Sequence, residues 1–479
     1  MTFVNDRATI GMRPVHALLR QLADRGMRLH SLLVHWRGRT VLDLWQWPHE
    51  PWLRHKLHSA TKSFTGTAVG FAEAEGLLGL DDPVVDFFGG RLPGADLRGM
   101  RIRDLLTMRT GHGRGLSGAT TRLRGTGWVD EFFEEPLVEP PGRTFMYNSS
   151  ASHVLSAIVQ EVSGLPVDEY LRPRLFEPLG IEDFEWERDP DGVCGGGNGL
   201  SLRPRDLLSF GVLYLRDGVW EGRRVLPAGW ARRASALHVR HAATGAWNGK
   251  EFGRPGADAV ADSGYGYQFW TTEDRIYNAS GIFGQECMVF PDQNGVVVVT
   301  GAMGSYHDLP EMLRTTFRDA FRGQASASDA VHRWVLRARE PEPVPATVVP
   351  PAVAGTYRFD PNEQGLRRLT VELKDGAVLL GIEDDQGEHA IEHGVGHWVR
   401  QRTSVSVWRL HHSYQDPGAA ILAAARWSPG ELGLTWHFLE SPFIDQLRLR
   451  FDEGGVTVAH EVNVNGGPTR LTPVRGVRT

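Results

Sequence analysis

Lysine is nearly missing from this chain. Of its 52 basic residues only Lys56, Lys62, Lys250 and Lys374 are lysines, so arginine supplies almost every other positive charge. Cysteine is almost as rare: Cys194 and Cys287 stand alone and far apart. That usage excludes a disulfide-stapled scaffold and fits a reducing cytoplasm. No run of 18 apolar residues occurs, which excludes a hydrophobic membrane-spanning helix. The opening stretch "MTFVNDRATIGMRPVHALLR" carries Asp6, Arg7 and Arg13 and lacks the apolar core of a secretory signal, so a cytoplasmic location is expected. The net charge of -6 is spread without a basic block or an acidic tail, leaving no electrostatic reason for a nucleic-acid or membrane partner. There is no fixed-period repeat, and no Gly-x-Ser-x-Gly elbow of the α/β-hydrolase type.

What is present is enough chain for two or three units. The 479 residues, 41% hydrophobic and 23% charged, have the balance of a globular protein. Five prolines between Arg339 and Gly355 predict an extended linker. Before it, "SLLVHWRGRTVLDLW" predicts two strands around a tight turn at Arg37 to Arg39, and "SATKSFTGTAVGFAEAEGLLGL" an apolar helix with Ser59 and Lys62 in its first turn. "SSASHVLSAIVQEVSG" predicts a second buried helix, and "GQECMVFPDQNGVVVVTGAM" a late hairpin turning at Asn294-Gly295. The mixture implies an α/β domain built on an antiparallel sheet. After the linker, runs of period-two alternation, among them "LRRLTVEL", "SVSVWRLH", "LGLTWHFL" and "VTVAHEV", predict an antiparallel barrel.

The chemistry starts at "HSATKSFTG". Ser59 and Lys62 are three apart, so on a helix the ammonium reaches the hydroxyl. A lysine, unlike an arginine, can lose its proton when burial lowers its pKa, as a base beside a nucleophilic serine must. A capping serine with a lysine reaching out to solvent is the plain alternative.

"SATKSF", with "PGRTFMYNSSASHVLSAIV", "IRDLLTMRTG", "GYGYQFW" and "ASGIFGQECMVFPD" in that family's order, resembles the serine β-lactamase and penicillin-binding-protein superfamily, in its class C-like esterase and amidase branch. The region "AGTYRFDPNEQGLRRLTVEL" resembles the lipocalin-like barrel appended to some members. The resemblance implies an α/β (α+β) catalytic domain with helices flanking an antiparallel sheet over residues 1–338, a linker at 339–354 and an all-β barrel over 355–479. It also implies that Ser59 is the acylated nucleophile, with Lys62 and Tyr147 as its proton-transfer partners. Backbone N–H groups of Ser59 and Ile282 would form the oxyanion hole, and Asn148, Ser149, Ser280, Gly281 and Gln285 would line the substrate site.

Two departures stand out. The second motif reads Tyr147-Asn148-Ser149 where the family has Tyr-x-Asn, and Ala279-Ser280-Gly281 lacks the Lys or His of the third motif. Without that cation, a neutral, small or peptide-like ester or amide is the expected substrate rather than an acidic one. The expected activity is cofactor-free hydrolysis through an acyl-enzyme. Transfer to an amine or alcohol, as in penicillin-binding-protein-type thioesterases or peptide cyclases, and a non-catalytic binding protein are the alternatives. Trp247, in the Gly- and Ala-rich stretch 240–264, is expected in a loop lining the site. His389, His393 and His397 are expected as surface residues rather than metal ligands, and no metal site is predicted. Oligomeric state is not legible in the sequence.

Overall fold

The structure is a computed structural model describing residues 10–89, 97, 99–116, 118–240, 263–322, 334–337, 348–416 and 418–479. The stretch holding Trp247 and residues 339–347 of the expected linker lie outside the described residues. The chain divides into two compact units, residues 1–45 with 54–336, and residues 46–53 with 337–479.

The first unit is organised by one sheet. Its strands are β1 (Arg28–Trp36), β2 (Arg39–Trp45), β3 (Ser263–Tyr265), β4 (Trp270–Thr272), β5 (Tyr277–Gly281), β6 (Gln285–Phe290), β7 (Gly295–Ala302) and β8 (Trp334–Arg337). They lie in the order β8-β2-β1-β7-β6-β5-β4-β3. Both expected hairpins are present, and β1 joins them by pairing antiparallel with β7 from Arg28↔Ala302 to Trp36↔Gly295.

The unbroken valines of β7 are explained by a sheet covered on both faces. Val297 and Val299 face one core with Leu32, Val34 and Met288, under α1 (Met12–Asp24) and a helix at Leu309–Arg322. Val296 and Val298 face the other with Leu33, Cys287 and Ala279. That second face is covered by α2 (Thr61–Ala74), α3 (Ser149–Ser163) and α4 (Pro204–Leu215). α2 is buried from Thr61 through Ala72, and its buried hydroxyls are paired, Ser63 Oγ donating to Gln268 O and Thr65 Oγ1 to Gly196 O.

In the second unit nine strands form a closed barrel, antiparallel at every pairing except the parallel one that closes it: β9 (Gly355–Phe359), β10 (Arg368–Lys374), β11 (Ala377–Asp384), β12 (Gly387–Val395), β14 (Ala419–Ser428), β15 (Glu431–Phe438), β16 (Ile444–Asp452), β17 (Gly455–Val462) and β18 (Val474–Arg478). The ring closes where β12 meets β14 through Gly394↔Ala424, and β13 (Val399–Thr403) lies beside β14 outside the ring. Along β15 every second residue is buried, as a barrel wall with one inward face requires.

Two expectations in this unit are corrected. "SVSVWRLH" is no strand: residues 404–411 run without a ladder and end in helical turns, with the N–H groups of Leu410 and His411 both reaching Val407 O. Val405 and Val407 are buried while their neighbours are not, so packing alone produced the alternation that resembled a strand. His393 is not on the surface. It is fully buried and accepts a hydrogen bond from Trp436 Nε1 at 2.5 Å, whereas His397 is exposed.

Candidate active site

Ser59 sits one step earlier than the sequence predicts. It occupies a 3-10 turn, His58–Ala60, that leads into α2, and Lys62 is in the helix's first turn. His58 is held at a φ of 49°, a strained conformation for a side-chain-bearing residue and one that concentrates at functional sites.

Lys62 is the centre of the arrangement. Its side chain is 1% exposed, and Nζ lies 3.1 Å from Ser59 Oγ, 3.0 Å from Ser149 Oγ and 2.6 Å from Gly197 O. An ammonium satisfies all three as donor. A neutral amine has two hydrogens and one lone pair, and the Gly197 carbonyl can only accept. With hydrogens on Gly197 O and Ser149 Oγ, the lone pair is left facing the Ser59 hydroxyl. Burial, reinforced by the Arg122 cation, pushes the Lys62 pKa well below its ordinary value and favours this neutral form.

Arg122 is itself buried and pinned. Its Nε and Nη2 lie 2.7 and 2.5 Å from the two Glu187 carboxylate oxygens, and Nη2 also reaches Asn198 Oδ1 at 3.0 Å. It therefore fixes the Gly195–Asn198 turn that presents Gly197 O to Lys62. Gly197 has to be glycine, since a Cβ there would fall 2.6 Å from Ser149 O on α3.

Tyr147 immediately precedes α3, is 8% exposed and shares a hydrogen bond with Ser59. Its ring stacks on Trp270 at 5.5 Å, and Lys62 Nζ lies 4.9 Å from the ring centre. Burial raises the phenol's pKa, and the hydrogen bond to Ser59 opposes that rise.

The remaining candidate residues divide. Ser149 is brought onto Lys62. Asn148 is fully buried as the N-cap of α3, its Oδ1 accepting from Ser150 N at 3.0 Å and Leu116 N at 3.4 Å. The Gln285 amide is also fully buried, with Nε2 donating to Gly301 O and Ile282 O. It secures the turn carrying Ile282. Gly281 brings β5 against the Ser59 turn so closely that a Cβ would stand 2.2 Å from Leu57 O.

Strand parity separates Ala279 from Ser280. Ala279 faces the helical layer that holds Lys62, whereas Ser280 is in phase with its cross-strand partner Glu286, two residues from Met288 on the opposite face. Ser280 Oγ donates to Glu286 Oε1 at 2.5 Å, and Asn278 Nδ2 donates to Oε2 at 2.7 Å. Burial lifts the Glu286 carboxyl to about 8.

Arg122, Gly197 and Glu286 are the residues that sequence reasoning missed. The glycine run at 195–197 was the one readable sign, because consecutive glycines mark a close backbone approach.

A family model described as Beta-lactamase matches residues 15–315. A 6-aminohexanoate-dimer hydrolase from Paenarthrobacter ureafaciens is 29% identical over 306 residues, covering 59% of this chain and 76% of that protein. Among solved structures, a putative beta-lactamase from Bacteroides dorei aligns with a TM-score of 0.56 at 17% identity, covering 66% of this chain and all of that one. An octameric penicillin-binding protein homologue from Pyrococcus abyssi covers 93% of this chain and 99% of its own at a TM-score of 0.50 and 17% identity, a likeness of fold. The chain belongs to the beta-lactamase family and is an enzyme of the serine-hydrolase type.

Proposed function

We propose that the enzyme cleaves a neutral ester or amide through an acyl-enzyme on Ser59. Lys62, as the neutral amine, accepts the Ser59 proton as Oγ attacks the carbonyl. The negative charge then developing on the carbonyl oxygen is met by the backbone N–H groups of Ser59 and Ile282, which the close approach of Gly281 to the Ser59 turn supports. Tyr147, hydrogen-bonded to Ser59, passes a proton to the departing alcohol or amine. Water completes the cycle.

The observation that carries this reading is the threefold coordination of Lys62 Nζ by Ser59, Ser149 and Gly197 inside a buried pocket. Substrate neutrality is supported by Ala279, which puts a methyl group on the face where the family's third motif carries a cation. A reducing, cytoplasmic compartment is supported by the two free, buried thiols of Cys194 and Cys287. No helix among the described residues is long and apolar enough to cross a membrane.

Turnover of a neutral aryl ester in the presence of graded amine separates hydrolysis from acyl transfer. Free acid as the main product at millimolar amine supports the hydrolase. Product partitioning mainly to amide replaces it with an acyltransferase.

A further inference from the structure

The barrel has a chemistry of its own. Its interior holds a cavity of about 170 Å³ walled by Leu369, Ile382, Trp436, Leu447, Val458 and His460, which come from five different strands. The cross-strand partners Leu369↔Ile382 and Leu447↔His460 show that these are inward-facing positions. The segment at 405–409, the one with strand-like alternation but no ladder, lies over this space and contributes Val405, Val407 and Trp408 to its lining.

Polar side chains interrupt the apolar wall, His460 and Ser406 among them. Asp445 is fully buried and accepts from His411 Nε2 at 2.6 Å and His460 Nε2 at 2.7 Å. Against the effect of burial, the charge interaction with His411 and the two hydrogen bonds hold its carboxyl down at about 2, so it stays an acceptor and fixes a hydrogen on His460 Nε2. With Nε2 committed to Asp445, the other ring nitrogen of His460, Nδ1, has no protein partner among the described residues. Ser406 Oγ, also lining the cavity, is buried with no hydrogen-bond partner among the described residues. Buried polar groups of this kind cost free energy unless something pairs with them.

We infer that the barrel cavity binds a small uncharged molecule, about the size of one substituted six-membered ring, whose hydroxyl donates to His460 Nδ1. The size follows from the volume, since a cavity of about 150 Å³ with apolar walls takes up benzene in another protein. The hydroxyl answers the unpaired acceptor, and Trp436 and the aliphatic wall accept the ring. Two carboxylates, Asp384 and Asp385, line the cavity against the single Arg409 cation, and the negative balance disfavours an anion. This site is independent of the Ser59 chemistry.

The test uses the full chain and three matched probes, p-cresol, toluene and p-toluate, measured by calorimetry and ligand-observed NMR. Binding of p-cresol at least about tenfold tighter than toluene, the worth of one hydrogen bond, with no binding of p-toluate, supports the assignment. His460→Phe should bring p-cresol down to the affinity of toluene. Filling the space with Val458→Phe, or with Ile382→Phe if that variant does not fold, should abolish both. Equal affinity for cresol and toluene, preference for toluate, or undiminished binding to the filled variant overturns it.

Discussion

Glu286 gives the sharpest quantitative expectation. Its carboxyl is fully buried on the sheet with Ser280 and Asn278 as partners, and burial raises it from 4.5 to about 8. Between those values the folded state keeps a proton that the unfolded state has lost. Folding stability contributed by this group is therefore complete below 4.5 and declines as pH rises to 8. At about 1.4 kcal/mol per pKa unit, the loss reaches roughly 3 kcal/mol at pH 7 and roughly 5 kcal/mol above pH 8. Glu286→Gln keeps the shape of the protonated acid and both hydrogen bonds but cannot ionise. Urea unfolding of the two proteins should coincide near pH 4, with the variant increasingly more stable from pH 5 to 8.5. Tyr147 and Cys287, two groups on which its charge acts, are pushed upward and stay neutral over this range. A difference that does not change with pH, or a wild type that gains on the variant at pH 8, refutes the reasoning.

Lys62→Arg keeps a hydrogen-bond donor but cannot accept a proton, so kcat for ester cleavage should fall by about 10²–10⁴-fold while the protein remains folded. Activity within tenfold of wild type would mean that Lys62 is not the base. Arg122→Gln removes the cation that helps depress Lys62, which raises the Lys62 pKa. The acidic limb of kcat/KM should move to higher pH in that variant and return toward its original position in Arg122→Lys. A loss of rate with no displacement of the limb would reduce Arg122 to a purely structural role.

Much of this site is legible in the sequence, and what is not has a physical cause. Ser59 and Lys62 are local, and their spacing alone predicts the contact. The hairpin at Asn294-Gly295 and the buried α2 follow from periodicity. Gly197 O gives no side-chain signal, and it lies 135 residues from the lysine it holds. Arg122 looks like any other arginine in a chain full of them, and only its burial beside Glu187 sets it apart. Ser280 and Glu286 are distinguished by parity, because a shift of one residue along a strand moves a side chain to the other face. In the barrel, Val405 and Val407 mimicked a strand because their alternate burial comes from covering a cavity rather than from a ladder. His393 was hidden for the converse reason: in a closed barrel even a polar inward position is sealed from water, and Trp436 supplies its partner.

The central claim is that Ser59 is the nucleophile, activated by Lys62. Intact-mass measurement after treatment with an alkyl fluorophosphonate tests it most directly. Wild type should gain the mass of one phosphonyl group, with the modified peptide containing Ser59, and folded Ser59→Ala should gain none. An unmodified wild type, or the same adduct on Ser59→Ala, would contradict the account.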